Sequence, residues 1–303
     1  VMAIKMVLTP SRQPRFSAGL PAPVYPPAEQ QAMAERLGAA LRIPTIWAAP
    51  ASVSKEGPAG AGTVDGSGAA ISAFHGYLKT TFPAVHAALT REEVNGSSLL
   101  YTWKGSDPGL PPYLLAAHMD VVPVEPGTEG RWQHPPFSGV LEGGFVWGRG
   151  AQDDKVSVLG ILEAVERLVR AGYRPRRTLY LGFGHDEEVS GTGAQAIVEL
   201  LASRGVRLEF ALDEGQAVVQ GMLPGVTRPV ALIGLAEKGY VSVEVAVAAA
   251  GGHSSMPPRH TAAGRLAQAL VRIEKNQLPA HVAGAPRLMF EHVASEMPLP
   301  LRL

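Results

Sequence analysis

Histidine and carboxylates gather in short runs along this chain, and their chemistry is that of metal binding and proton transfer. His118 and Asp120 stand two apart, Asp153 and Asp154 follow the turn Trp147-Gly-Arg-Gly-Ala-Gln, Glu187 and Glu188 are adjacent, and Asp213-Glu214 come later. Cysteine is absent, so a metal site must be built from imidazole and carboxylate, a donor set that suits zinc. Two such ions roughly 3.5 to 4 Å apart need a carboxylate between them and would activate a water as nucleophile. Of two adjacent acids, one is free to ligate while the other moves protons. Each run alone is a common accident, because His-x-Asp arises by chance and paired acids are usually solvated loop charges. Their joint occurrence gives them meaning, and Gly148, Gly150, Gly182, Gly184, Gly191 and Gly193 allow the close backbone turns such a site needs.

These runs need elements to position them. Tyr113-Leu-Leu-Ala-Ala has the short apolar texture of a strand buried on both faces, and it ends in His118-Met119-Asp120. The same layout recurs over 178–184, followed by His185-Asp186-Glu187-Glu188, and over 208–212, followed by Asp213. Between them, 155–171 carries apolar residues at helical spacing with a stop at Gly172, and 193–203 does so with a stop at Gly205. Strands alternating with helices predict an α/β fold, a mostly parallel sheet flanked by helices, with ligands at the carboxyl ends of the strands. The acidic runs fall at those ends. Further helices are expected over 27–41 and 69–78, with a loop over 50–68. Past residue 230 the texture changes: 240–247 alternates like a half-exposed strand, Gly251-Gly252-His253-Ser254-Ser255 follows, and a helix is expected over 261–275. The expected organisation is a Pro-rich extended lead-in over 1–27, a catalytic domain over 28–229 and the start of a smaller α+β domain over 230–303.

Composition bounds the rest. The 303 residues are 46% hydrophobic and 18% charged, with 27 basic against 27 acidic side chains, so no basic field recruits nucleic acid or an anionic membrane. No apolar run approaches the roughly 20 residues that span a bilayer. The opening Val-Met-Ala-Ile-Lys-Met-Val-Leu is too short for a signal peptide and has no small-residue cleavage site, so it is at best a remnant of one. The expected partner is a small-molecule substrate.

Five ordered runs resemble a known family: Leu115-Ala-Ala-His-Met-Asp-Val-Val-Pro123, Trp147-Gly-Arg-Gly-Ala-Gln-Asp-Asp-Lys155, Gly184-His-Asp-Glu-Glu-Val-Ser-Gly191, Leu212-Asp-Glu-Gly215 and Gly251-Gly-His-Ser-Ser255. They resemble the dizinc aminoacylase and carboxypeptidase metallopeptidases, which include carboxypeptidase S, succinyl-diaminopimelate desuccinylase and aminoacylase-1, and the resemblance covers roughly residues 30 to 300. It implies a zinc-peptidase-like catalytic domain with a smaller lid, and two zinc ions: His118 and Asp213 on one, Glu188 on the other, Asp153 bridging both. It also implies Glu187 as general base, Asp120 accepting the other imidazole proton of His118, and His253 stabilising the tetrahedral intermediate, often from the partner subunit of a homodimer formed through the lid. Read without the resemblance, His253 is a loop histidine in a Gly-rich turn. The implied reaction is metal-assisted amide hydrolysis, with Glu187 taking a proton from the attacking water and returning it to the leaving amine.

A narrower resemblance lies in Gly105-Ser-Asp-Pro-Gly-Leu110, Pro135-Pro-Phe-Ser-Gly139, the extension of the third run to Gln195, and Leu201-Ala-Ser-Arg-Gly-Val206. These look like the secreted N-fatty-acyl-amino acid synthase/hydrolase branch related to carboxypeptidase S, which implies fatty acids amide-linked to amino acids as substrates and an extracellular location. The family's final zinc ligand is a His near its C-terminus, and this chain stops before that segment. His281 and His292 match the lid and are not assigned as ligands. A longer enzyme of about 450 to 500 residues is therefore expected. Alternatives are a dipeptidase or short-chain aminoacylase with the same metal chemistry, and a non-catalytic product that binds a partner or one metal. A two-metal phosphatase or nuclease is disfavoured, for there is neither a basic groove nor a Gly-Lys-Ser/Thr loop.

Overall fold

The computed structural model describes residues 10–13, 24–48, 67–215, 217–237, 239, 241–253 and 255–302. Most of the expected lead-in and of the loop over 50–68 lies outside them. The chain divides into two units, Pro21–Glu214 and Gly215–Leu303 with Val1–Leu20.

In the first unit α1 (Pro27–Leu41) opens with proline, whose missing N–H costs nothing at a first helical position. Then come α2 (Ser67–Thr81), α3 (Pro83–Ala88), β1 (Thr90–Val94), β2 (Ser98–Trp103), β3 (Tyr113–His118), a hairpin of β4 (Val140–Glu142) and β5 (Phe145–Trp147), α4 (Lys155–Arg170), β6 (Leu179–Gly184), α5 (Thr192–Ser203) and β7 (Phe210–Leu212). The central sheet has the order β1-β2-β6-β3-β7. β3 pairs in parallel with β6 and β7, while β2 lies antiparallel to both β1 and β6, so β2 alone runs against the other four strands. The mostly parallel sheet read from the sequence is therefore present.

Alternation along the strands sends successive side chains to opposite faces. Leu99, Tyr101, Leu179, Leu181 and Phe183 join Phe74, Leu78, Val85, Val158 and Leu162 in the main core under α2, α3 and α4. Leu100 turns the other way, to Ile197 and Leu201 of α5. Each fully buried Leu or Phe contributes about 1.5–3 kcal/mol. β7 lies at the edge, with Phe210 and Leu212 exposed.

One buried cation ties helix to helix. Lys155, the first residue of α4, donates through Nζ to Ala40 O (3.0 Å) and Ile43 O (2.5 Å) at the end of α1, where carbonyls lack helical partners, and sits 4.8 Å from the Phe74 ring centre. Burial pulls its pKa down to about 7. The start of α4, just past Asp153, is anchored in this way.

The second unit has a short antiparallel pair, β8 (Val218–Val219) with β9 (Val230–Ala231), then α6 (Ala262–Lys275) and α7 (Gly284–Val293). Thr261 caps α6 by accepting the Gly264 amide at 3.0 Å. Val226, Val293 and Met297 form its core. Of the strand expected over 240–247, the described residues 241–247 form none, and Val241 and Val243 are 78% and 73% exposed. Alternation marks a face to be buried, but a strand also needs a paired neighbour, and no described segment pairs with this one. No described helix is long and apolar enough to cross a membrane.

Candidate metal centre

Strand register brings the reactive residues together. His118, the last residue of β3, lies opposite Gly184, the last of β6, and Leu115 lies opposite Leu212, the last of β7. The segments that follow all three strands therefore leave the sheet at one end. Asp153 arrives there from the loop before α4. The Asp153–Asp154 peptide bond is cis, and Asp154 Oδ2 accepts the His118 amide at 3.2 Å.

The imidazole of His118 is buried and surrounded by carboxylates. Its Nε2 lies 2.8 Å from Asp153 Oδ1, 3.4 Å from Glu214 Oε1 and 4.0 Å from Glu187 Oε2. Its Nδ1 lies 3.1 Å from the main-chain oxygen of Asp120 and 3.3 Å from Asp120 Oδ1. Asp120, fully buried, also accepts the Glu187 amide on Oδ1 and the Glu188 amide on Oδ2, each at 3.1 Å. One carboxylate thus touches the ring and fixes the backbone of both acids.

The electrostatics record crowding. Burial opposes a charged His118, but Asp120, Glu214 and Asp153 outweigh it and lift the pKa to about 10. Burial raises Glu187, with Asp120, Asp153 and Asp213 adding to it against His118. Glu188 rises through burial and then Asp153. Glu214 is pushed up to about 7 by burial, then by Asp154, Asp153 and Glu187. Ligand atoms of His118, Asp153 and Glu214 all lie within 4.8 Å of one another. An imidazole with hard oxygen donors and a surplus of negative charge is a donor set that fits zinc, and a divalent cation would relieve the repulsion.

The structure brings His118, Asp120, Asp153 and Glu187 into one cluster, with Glu188 beside it. Asp213 is exposed, accepts the Glu214 amide at 2.9 Å, and contributes no ligand atom to the three-residue group. His253 lies in the other unit, where its Nδ1 is 2.7 Å from Ser255 Oγ and 3.2 Å from the Ser255 amide.

Sequence reasoning gave no role to Glu214 or Asp186. Buried Asp186 accepts Ser190 Oγ (2.7 Å), the Thr192 amide (2.9 Å) and Thr192 Oγ1 (2.6 Å) on Oδ2, and the Gly193 amide (2.8 Å) on Oδ1. It closes the loop bearing Glu187 and Glu188 onto the free N–H groups at the start of α5. Burial opposes its charge, yet the donors from Thr192, Gly193 and Ser190 hold its pKa below the usual range. Glycine is required at 193, where a Cβ would overlap Ser98 Oγ and crowd His185 Nδ1. A search for N–H donors at the start of α5 could have pointed to Asp186. For Glu214 the only signal was its place beside Asp213.

The sequence profile of Peptidase family M20/M25/M40 matches residues 114–300. The N-fatty-acyl-amino acid synthase/hydrolase PM20D1 of Xenopus tropicalis is 43% identical over 279 residues, 91% of this chain and 51% of that protein. Carboxypeptidase S of Saccharomyces cerevisiae is 39% identical over 269 residues, 87% of this chain and 45% of that protein. This chain spans about half the length of the curated relatives it matches. Human carnosine dipeptidase 1, a solved structure, is similar with a TM-score of 0.48 and 17% identity over 66% of this chain and 41% of that one. The matched span takes in the whole His118 cluster and most of the chain, which therefore belongs to peptidase family M20/M25/M40.

Proposed function

We propose that this chain carries the catalytic metal centre of an enzyme that hydrolyses N-fatty-acyl amino acids to fatty acid and amino acid, and condenses them when both products are concentrated. The observation that carries the reading is the group of His118, Asp153 and Glu214, with ligand atoms within 4.8 Å at the carboxyl ends of the strands. The substrate class is supported by the name of the Xenopus relative. Two zinc ions are proposed, with His118, Asp153, Glu188 and Asp213 as ligands on the family pattern and Glu214 added by the geometry. Bound zinc would supply Lewis-acid polarisation of the amide carbonyl and stabilisation of developing negative charge.

The chain's own residues supply the proton chemistry. Glu187, its pKa raised by burial, is the proposed proton carrier: it takes a proton from the attacking water and delivers it to the amide nitrogen as the C–N bond breaks. Asp120 orients the His118 ring and holds the amides of 187 and 188. Because His253 Nδ1 accepts the Ser255 amide, its Nε2 carries the proton in the neutral ring and is the donor proposed for the tetrahedral intermediate. The division into a catalytic domain over 28–229 and a lid over 230–303, a homodimer through that lid, and an extracellular location belong to the same proposal.

A dipeptidase or short-chain aminoacylase is the second reading, favoured by the likeness to carboxypeptidase S. Zinc-loaded chain, and a form extended to the relatives' length, are assayed on oleoyl-phenylalanine, acetyl-amino acids and dipeptides beside Glu187→Gln. The expected outcome is lipid-amide hydrolysis that drops about 10²- to 10⁴-fold in Glu187→Gln. Cleavage of only the polar substrates overturns the substrate class, and full activity in Glu187→Gln overturns the assigned base.

A further inference from the structure

Asparagine occurs twice in the chain, and only Asn95-Gly96-Ser97 begins the N-x-Ser/Thr pattern whose amide accepts an N-linked glycan, since Asn276 is followed by Gln277-Leu278. Asn95, Gly96 and Ser97 form the turn between β1 and β2, where Val94 pairs with Ser98 and Val94 O accepts the Ser97 amide at 3.4 Å. Asn95 and Gly96 take φ of +50° and +77°, left-handed conformations that these two residue types tolerate best. The turn therefore accounts for the asparagine and the glycine, but it asks nothing of the hydroxyl at 97.

The tip of this turn is presented to solvent. Asn95 and Gly96 are exposed, and a Cβ placed on Gly96 would meet no atom within 4 Å. Its base is fixed, for His75 Nε2 lies 3.0 Å from Ser97 O and Val94 is buried with Ile197 and Leu201 of α5. Asn95 Nδ2 donates to Thr192 Oγ1 at 3.1 Å, which uses one of its two hydrogens and leaves the second replaceable by a sugar. We propose that Asn95 carries an N-linked glycan. The donor is a lipid-linked oligosaccharide diphosphate: the bond from Nδ2 to C1 of the first sugar forms as the C1–O bond to the diphosphate breaks, the lipid diphosphate leaves, and Nδ2 gives up one proton. The remaining N–H still reaches Thr192. The inference rests on the extracellular location included in the functional reading, because such donors serve chains that pass through the secretory route. Register places the glycan: Leu99 lies opposite Phe183, so the turn stands at the end of the sheet where β6 stops and the candidate metal centre lies.

Mass spectrometry of the full-length protein from its own cells tests this. The protein is treated with a peptide-N-glycosidase in water enriched in heavy oxygen, and the peptide carrying residue 95 is compared with that of an untreated sample kept in the same water. Removal of a glycan leaves a heavy-oxygen aspartate at 95 in the treated sample alone, whereas spontaneous deamidation of Asn-Gly labels both. The expected result is label that depends on the glycosidase, is lost in Ser97→Ala and is retained in Ser97→Thr, each made in the same cells. If Ser97→Ala does not accumulate, the treated and untreated wild-type samples decide. An unlabelled Asn95, label equal in both samples, or label that persists in Ser97→Ala overturns the proposal. Hydrolysis of oleoyl-phenylalanine by the same material separates the two readings. Activity with a bare Asn95 removes only the glycan, while a glycosylated Asn95 in a protein that, loaded with zinc, cleaves no N-acyl amino acid overturns the functional reading and leaves the modification site standing.

Discussion

A fully buried carboxylate is costly unless every oxygen is engaged, and Asp120 meets that demand with the His118 ring and the amides of Glu187 and Glu188. Asp120→Asn keeps one acceptor and turns an NH₂ toward a group that is itself a donor. Zinc affinity is expected to fall about 10- to 100-fold, and stability by about 1–3 kcal/mol for the unsatisfied group, read by zinc titration and chemical denaturation. Unchanged affinity with an unchanged denaturation midpoint would rule out this role. How readable each residue was follows from the same geometry. His118 and Asp120 could be found because an apolar strand ends on them. Periodicity alone does not separate Asp213 from Glu214, because β7 stops at Leu212 and pleating no longer dictates which side chain turns inward. Asp186 was hidden because its partners Thr192 and Gly193 lie six and seven residues on, outside any local capping pattern.

Elements were readable to the extent that one face of each is apolar. The helical spacing over 155–171 gave α4, and the three apolar runs gave β3, β6 and β7. Periodicity names a face but not a neighbour, so the insertion of the reversed β2 beside β6 could not be read, and 241–247 alternates like a strand although these described residues form none. The seam between α3 and β2 carries a pH-sensitive contact. His86 Nδ1 lies 2.9 Å from Phe82 O and Nε2 3.0 Å from the Tyr101 hydroxyl. Burial pushes the Tyr101 phenol up to about 12, so it remains a donor, and Nε2 must stay unprotonated to accept from it. Burial correspondingly lowers the pKa of His86. In the unfolded chain this group titrates near 6.5, so the unfolded state binds the proton first as pH falls. Its contribution is complete above that value and is lost as pH drops toward the folded pKa. The stability difference between wild type and His86→Gln is therefore expected to shrink between pH 8 and pH 5.5, measured by thermal melts at each pH. A difference that stays constant or widens on acidification contradicts this account.

At the scale of the whole molecule the charges balance, 27 against 27, yet the carboxyl ends of β3, β6 and β7 concentrate acids around a single imidazole. Without a cation that end of the sheet carries like charges in close quarters, and burial first, with the neighbouring carboxylates adding to it, raises Glu187, Glu188 and Glu214 above the usual carboxylate range. A metal that binds only the folded arrangement stabilises it by mass action, about 2.7 kcal/mol when its concentration is a hundred times its dissociation constant. For a unit of this size that corresponds to a melting-temperature rise of roughly 5 to 10 °C. Because His118, Asp153 and Glu214 all belong to the Pro21–Glu214 unit, the shift should appear in the calorimetric transition of that unit. EDTA should reverse it. Asp153→Asn, which removes a full charge from the position 2.8 Å from His118 Nε2, should abolish most of it. Equal melting temperatures with zinc and with EDTA would mean that these carboxylates do not form a metal site. An undiminished shift in Asp153→Asn would mean that the metal is held elsewhere in the chain.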